Sequence, residues 1–133
     1  MFTRGTIRQR ELANQVRDFS GLSWDKITPT DIDGFIDFGN RAFVFIETKY
    51  ADAPLPRGQG LALERLCDQL NRVVPCLVLV VSHRSDTDID VAQCRVVMWR
   101  YKSGWEHPKS EPTTRAVIDN WLVFLGFYEY REK

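Results

Sequence analysis

Asp31-Ile32-Asp33-Gly34-Phe35-Ile36-Asp37-Phe38, then Gly39-Asn40-Arg41, then Ala42-Phe43-Val44-Phe45-Ile46-Glu47-Thr48-Lys49, reads as two β-strands joined by a tight turn. Aromatic and β-branched residues dominate the second run, and Gly39-Asn40 supplies turn chemistry. Strand side chains alternate between faces. Ile32, Gly34, Ile36 and Phe38 therefore share one face with Val44, Ile46 and Thr48, and this nearly apolar face is expected to pack on the core. The opposite face carries Asp31, Asp33, Phe35 and Asp37, then Phe43, Phe45, Glu47 and Lys49, with the charges gathered at the end far from the turn. A two-residue loop at Gly39-Asn40 puts Asp33 opposite Ile46, on the wrong face. A three-residue loop, Gly39 to Arg41, puts Asp33 across from Glu47 and Asp31 across from Lys49, and keeps the apolar face continuous. Register follows the hydrophobic pattern, so the longer loop is expected.

Upstream, residues 6–18 read as a helix with an apolar stripe of Leu12, Val16 and Phe19. Ser20 to Pro29 reads as a loop with a short strand near Trp24 to Ile27. Downstream, Pro54, Pro56 and Gly58 mark a loop, and a helix follows over Gln59 to Arg72 with Leu63, Leu66, Cys67, Leu70 and Val74 on its inner side. Cys76 to Val81 is a continuous apolar run, the pattern of a strand buried on both faces. Ser85 to Asp90 is a polar surface loop, Cys94 to Tyr101 a further strand turning near Ser103-Gly104, and Pro112 to Leu125 a closing helix. The result is an α/β or α+β sheet flanked by helices, in a single domain spanning 1–133.

Composition narrows the function. Lys plus Arg and Asp plus Glu both number 18, for a formal net charge of zero, which argues against a protein that coats nucleic acid through bulk charge. No apolar run approaches the roughly 20 residues of a membrane helix. Met1 to Gly5 lacks the apolar core of a secretory signal. Cys67, Cys76 and Cys94 are odd in number and form no C-x-x-C pair, so neither a disulfide framework nor a zinc site with His83 is expected, and the cytoplasm is the expected compartment.

Two or three carboxylates and one lysine at one hairpin end repel one another unless something cationic joins them. Lys49 balances one charge. A hard divalent cation such as Mg2+ balances the rest, because it prefers carboxylate and water oxygens. The competing reading is a surface ion-pair ladder across the hairpin, on a structural or interaction protein that presents Trp99, Tyr101 and Trp105 to a partner.

These residues resemble the PD-(D/E)XK nuclease superfamily, whose signature is an acidic residue on one strand, a short hairpin, then (Asp/Glu)-x-Lys on the next. Pro29-Thr30-Asp31-Ile32-Asp33-Gly34 resembles the first part and Ile46-Glu47-Thr48-Lys49 the second. The resemblance covers about residues 6–82. It implies a restriction endonuclease-like αβββαβ core, a central mixed sheet flanked by helices, to which this chain adds a C-terminal strand and helix. It also implies a Mg2+ or Mn2+ site held by Asp33, Glu47 and the backbone carbonyl of Thr48. Asp31 competes with Asp33 for the metal, and register favours Asp33. Glu11, on the first helix, occupies the place of a supporting glutamate, and an ordinary solvated residue fits there equally. Gln59 matches a glutamine at the start of the helix after Glu-x-Lys, where a helix N-terminus favours phosphate. Leu63 stands where some branches carry tyrosine.

The implied activity is hydrolysis of DNA phosphodiesters by metal-activated water. Lys49 then orients the water and stabilises charge, Gln59 positions water, lysine or phosphate, and Arg57 either contacts a neighbouring phosphate or stays a solvated loop arginine. The expected partner is nucleic acid, with DNA first, acted on by the monomer, a homodimer or a larger complex with no membrane. The C-terminal segment from Trp121 to Tyr130 serves either as an interface or as closure of the monomer core. The alternative function is a catalytically inactive nuclease-like fold that binds nucleic acid or protein without cutting.

Overall fold

A computed structural model describes residues 18–130, which divide into a unit ending at Thr30 and a second unit beginning at Asp31. The expected helix over 6–18, and with it Glu11, lies outside the described residues apart from its last position. In the first unit Phe19, expected on that helix's apolar stripe, is exposed and accepts a turn hydrogen bond from Leu22 N–H at 2.8 Å. The strand expected near Trp24 to Ile27 is instead a tight reversal. Asp25 lies in the left-handed region at φ 60°, and Trp24 and Ile27 exchange both backbone hydrogen bonds, at 2.9 and 3.0 Å. The chain pairs with itself there rather than extending.

The second unit is α+β, with a four-stranded mixed sheet in the order β1-β2-β3-β4. The strands are β1 (Gly34–Asp37), β2 (Phe43–Tyr50), β3 (Cys76–His83) and β4 (Arg95–Arg100), and the two helices are α1 (Arg57–Leu70) and α2 (Thr114–Phe124). β1 and β2 are antiparallel, β2 and β3 parallel, β3 and β4 antiparallel. A parallel pair needs a crossover, and α1 supplies it. Beneath β4 the sheet edge is covered, because Trp99 exchanges backbone hydrogen bonds with Glu106 and Val96 N–H reaches Pro112. Among the described residues, β1 is the open edge.

The hairpin has the expected register: Gly34 faces Ile46, Phe35 faces Phe45, Ile36 faces Val44 and Asp37 faces Phe43. Gly39 and Asn40 both take positive φ, 63° and 64°, as a type I′ turn requires. Arg41 is the extra residue, and Phe38 N–H then bonds to Ala42 at 2.9 Å. β1 is shorter than the expected 31–38, starting only at Gly34.

The core lies on both faces of the sheet. On one face Val44, Ile46, Leu77, Leu79, Val81 and Val96 pack against Ile118, Trp121 and Leu122 of α2. On the other, Phe45 and Val78 pack against Leu63 and Cys67 of α1. Each such fully buried side chain contributes roughly 1.5–3 kcal/mol. Thr113 caps α2 by accepting from Ala116 N–H at 3.2 Å. Gly126, at φ 85°, ends it, with Phe127 N–H returning to the Leu122 carbonyl. Val74, expected on α1, falls in the turn beyond it.

Trp99 and Tyr101, partly buried, pack against the α2-side core and Trp105, likewise partly buried, against the α1-side core. Trp121, Leu122, Leu125, Phe127 and Tyr130 close the monomer core. The three cysteines are free and buried. Among the described residues no helix is long and apolar enough to cross a membrane.

Candidate functional site

β2 delivers Glu47 and Lys49 to its C-terminal end on the face covered by α1. Glu47 is thereby taken out of water and is only 5% exposed. Its Oε1 lies 3.4 Å from Lys49 Nζ. Lys49 Nζ also donates to Gln59 Oε1 at 3.1 Å, and Gln59 Nε2 donates to the Asp31 carbonyl at 3.2 Å. One relay thus ties the end of β2, the first turn of α1 and the chain entering β1.

The second oxygen of Glu47, Oε2, is buried and has no hydrogen-bond partner among the described residues. A buried carboxylate without full pairing is costly. Burial is the main cause that lifts the Glu47 carboxyl above its ordinary value of 4.5. The Gln59 amide pulls it back, the charge of Asp33 lifts it again, and the Lys49 ammonium lowers it.

Asp33 directly precedes β1, whose first pair is Gly34–Ile46, and lies close enough for its charge to act on Glu47. Its Oδ2 accepts from the Thr48 N–H and from the Thr48 hydroxyl, both at 2.8 Å. The carboxylate therefore replaces the backbone rung that Ile32 would have made, which is why β1 ends early. In an antiparallel pair a residue's N–H and C=O point to the same neighbour, so the Thr48 carbonyl faces the side on which Asp33 sits.

Of the expected site residues, the structure brings together Asp33, Glu47, Thr48, Lys49 and Gln59. Asp31 joins through its carbonyl and does not stand across from Lys49 in the sheet, because β1 does not reach it. Arg57 is exposed at the first position of α1 and is joined to none of the others. The solvated ion-pair ladder does not describe Glu47, which is buried. Sequence reasoning gave Thr48 only a carbonyl and missed its hydroxyl and N–H as the clamp on Asp33. The available signal was a short polar residue diagonal to an aspartate at a strand end.

Among the described residues no group of three or more His, Cys, Asp or Glu side chains converges on a metal position. The donor set is two carboxylates with a main-chain oxygen, which suits a hard cation that keeps several of its waters. The partnerless Glu47 oxygen beside Asp33 fits such an ion. Compared with family models, curated proteins and solved structures, the chain matches none.

Proposed function

We propose that this chain is a nuclease of the restriction endonuclease-like, PD-(D/E)XK kind, hydrolysing DNA phosphodiester bonds with Mg2+ or Mn2+. The observation that carries the reading is the buried Glu47 carboxylate, with one oxygen unpartnered, next to Asp33 and Lys49 at the end of β2. The order hairpin, helix, parallel strand supports it, since that is the strand-strand-helix-strand portion of the proposed core. So does Gln59, which stands at the start of α1 and holds Lys49.

Asp33, Glu47 and the Thr48 carbonyl are the residues that would hold the cation. When bound, the cation supplies a Lewis acid for a phosphate oxygen and lowers the pKa of a water. Thr48 fixes the Asp33 carboxylate with two hydrogen bonds. Gln59 and Glu47 fix the Lys49 ammonium from two sides, so its remaining proton is aimed rather than free. That ammonium orients the attacking water and stabilises charge growing on the phosphoryl oxygens, the kind of preorganised contact that lowers a barrier. Pro56 caps α1 without a side-chain hydrogen bond, and the first turn holds no acid, so its N–H groups and Arg57 favour the adjoining phosphate.

The test is cleavage of plasmid and branched DNA by the purified chain, with Mg2+, with Mn2+ and with chelator. Cleavage is expected only with metal, and Lys49→Ala and Asp33→Ala should each lower it at least about a hundredfold while circular dichroism stays native. Undiminished cleavage by Lys49→Ala would exclude this site. Nucleic-acid binding with no cleavage under any metal would favour the inactive binding module.

A further inference from the structure

Phe35 lies on the same sheet face as Asp33, Glu47 and Lys49, one rung from the carboxylate pair. Its ring stacks on Phe45, with centroids 4.9 Å apart and planes at 17°, and meets Phe43 at 5.5 Å and 58°. Yet Phe35 is 55% exposed, on the open edge strand of the sheet. A ring stacked on one side and more than half exposed presents its other face to solvent. Successive residues on one strand face are about 7 Å apart, so that free ring face stands within a single nucleotide's reach of Asp33.

Among the described residues, the exposed cation beside the site is Arg57, at the start of α1. Lys49 is engaged by Glu47 and Gln59, and Arg41 by Glu129. Acids and bases balance over the whole chain. Duplex binding depends chiefly on neutralising phosphates, whereas single strands gain affinity by stacking bases on aromatic rings. We infer that Phe35 is a base-stacking platform, and that the site selects a nucleic acid with an unpaired nucleotide next to the scissile phosphate. This inference rests on the nuclease reading for the word scissile, but stacking itself does not require it.

The same ring also shields Phe45, and leucine preserves that cover without a stacking face. Fluorescence anisotropy is measured with Ca2+ on a short fluorescein-labelled single strand and on the same strand annealed to its complement. The wild-type chain is expected to prefer the single strand. Phe35→Leu should bind it about tenfold more weakly with duplex binding unchanged, and Phe35→Trp should restore it. A single strand carrying 2-aminopurine should lose fluorescence on binding the wild-type chain, a readout independent of any variant's folding. Equal single-strand affinity in Phe35→Leu, a preference for duplex, or unchanged 2-aminopurine emission would each overturn the inference. Metal-dependent cleavage that ignores Phe35 removes this inference alone. Stacking through Phe35 in a chain that never cuts removes the nuclease reading and leaves the platform.

Discussion

Glu47 is the residue on which the proposed chemistry turns, and its burial makes it a thermodynamic liability in the metal-free chain. Its carboxyl holds a proton to higher pH when folded than when unfolded. The stability contributed by the neutral form is therefore complete below about 4.5 and is lost as pH rises through the folded value. Glu47→Gln is accordingly expected to stabilise the metal-free chain at neutral pH by about 1 kcal/mol, a rise in Tm of roughly 4 °C. The gain should vanish toward pH 4, and activity should be lost. Thermal unfolding of both proteins across that range with chelator present checks this. A Glu47→Gln chain less stable than wild type at neutral pH would mean that Lys49 depends on the carboxylate more than the carboxylate suffers from burial. Asp33 shows the complementary lesson: its nearness to Glu47 was legible from alternation, but its grip on Thr48 was not, because a short side chain there competes with the backbone for the same N–H.

At the scale of elements, the hairpin register was readable because one wrong step would have turned Val44 and Ile46 to the wrong face. The length of β1 was not, since the Asp33 side chain ends the ladder. β3 was readable from its unbroken apolar run, which needs a layer on each face. The fastening of α1 to β3 was hidden. Asn71, just past α1, donates through Nδ2 to the carbonyls of Cys67 at 3.0 Å, Cys76 at 2.9 Å and Tyr101, and its Oδ1 accepts from Cys76 N–H at 2.9 Å. One amide, its two hydrogens shared among carbonyls that Cys67 Sγ and the Asn71 N–H also serve, ties three segments together, which no periodicity reveals. Asn71→Ala removes these contacts and takes from the Cys76 N–H its acceptor, and is expected to cost about 1–2 kcal/mol. Urea unfolding should show this as a lower midpoint at unchanged slope. A loss under about 0.5 kcal/mol would show that water replaces the amide.

Over the whole second unit, the two helices described cover opposite faces of one sheet and leave the C-terminal end of β2 beside the start of α1. The element order was legible from residue 31 onward. Which aromatic rings served the interior was not, because Trp99, Tyr101 and Trp105 carry the same composition whether they face a partner or a core. The packed scaffold matters to function in one way: it holds a carboxylate out of water that the protein itself does not fully satisfy. If that carboxylate is kept for a cation, binding must stabilise the folded chain as a whole. Calorimetric titration of Mn2+ into the full chain tests this directly. The expected result is one saturable site per chain in the wild type, lost in Glu47→Gln and in Asp33→Ala, with Mn2+ raising the wild-type Tm alone. Absence of binding heat in the wild type, or equal binding by Glu47→Gln, would contradict it.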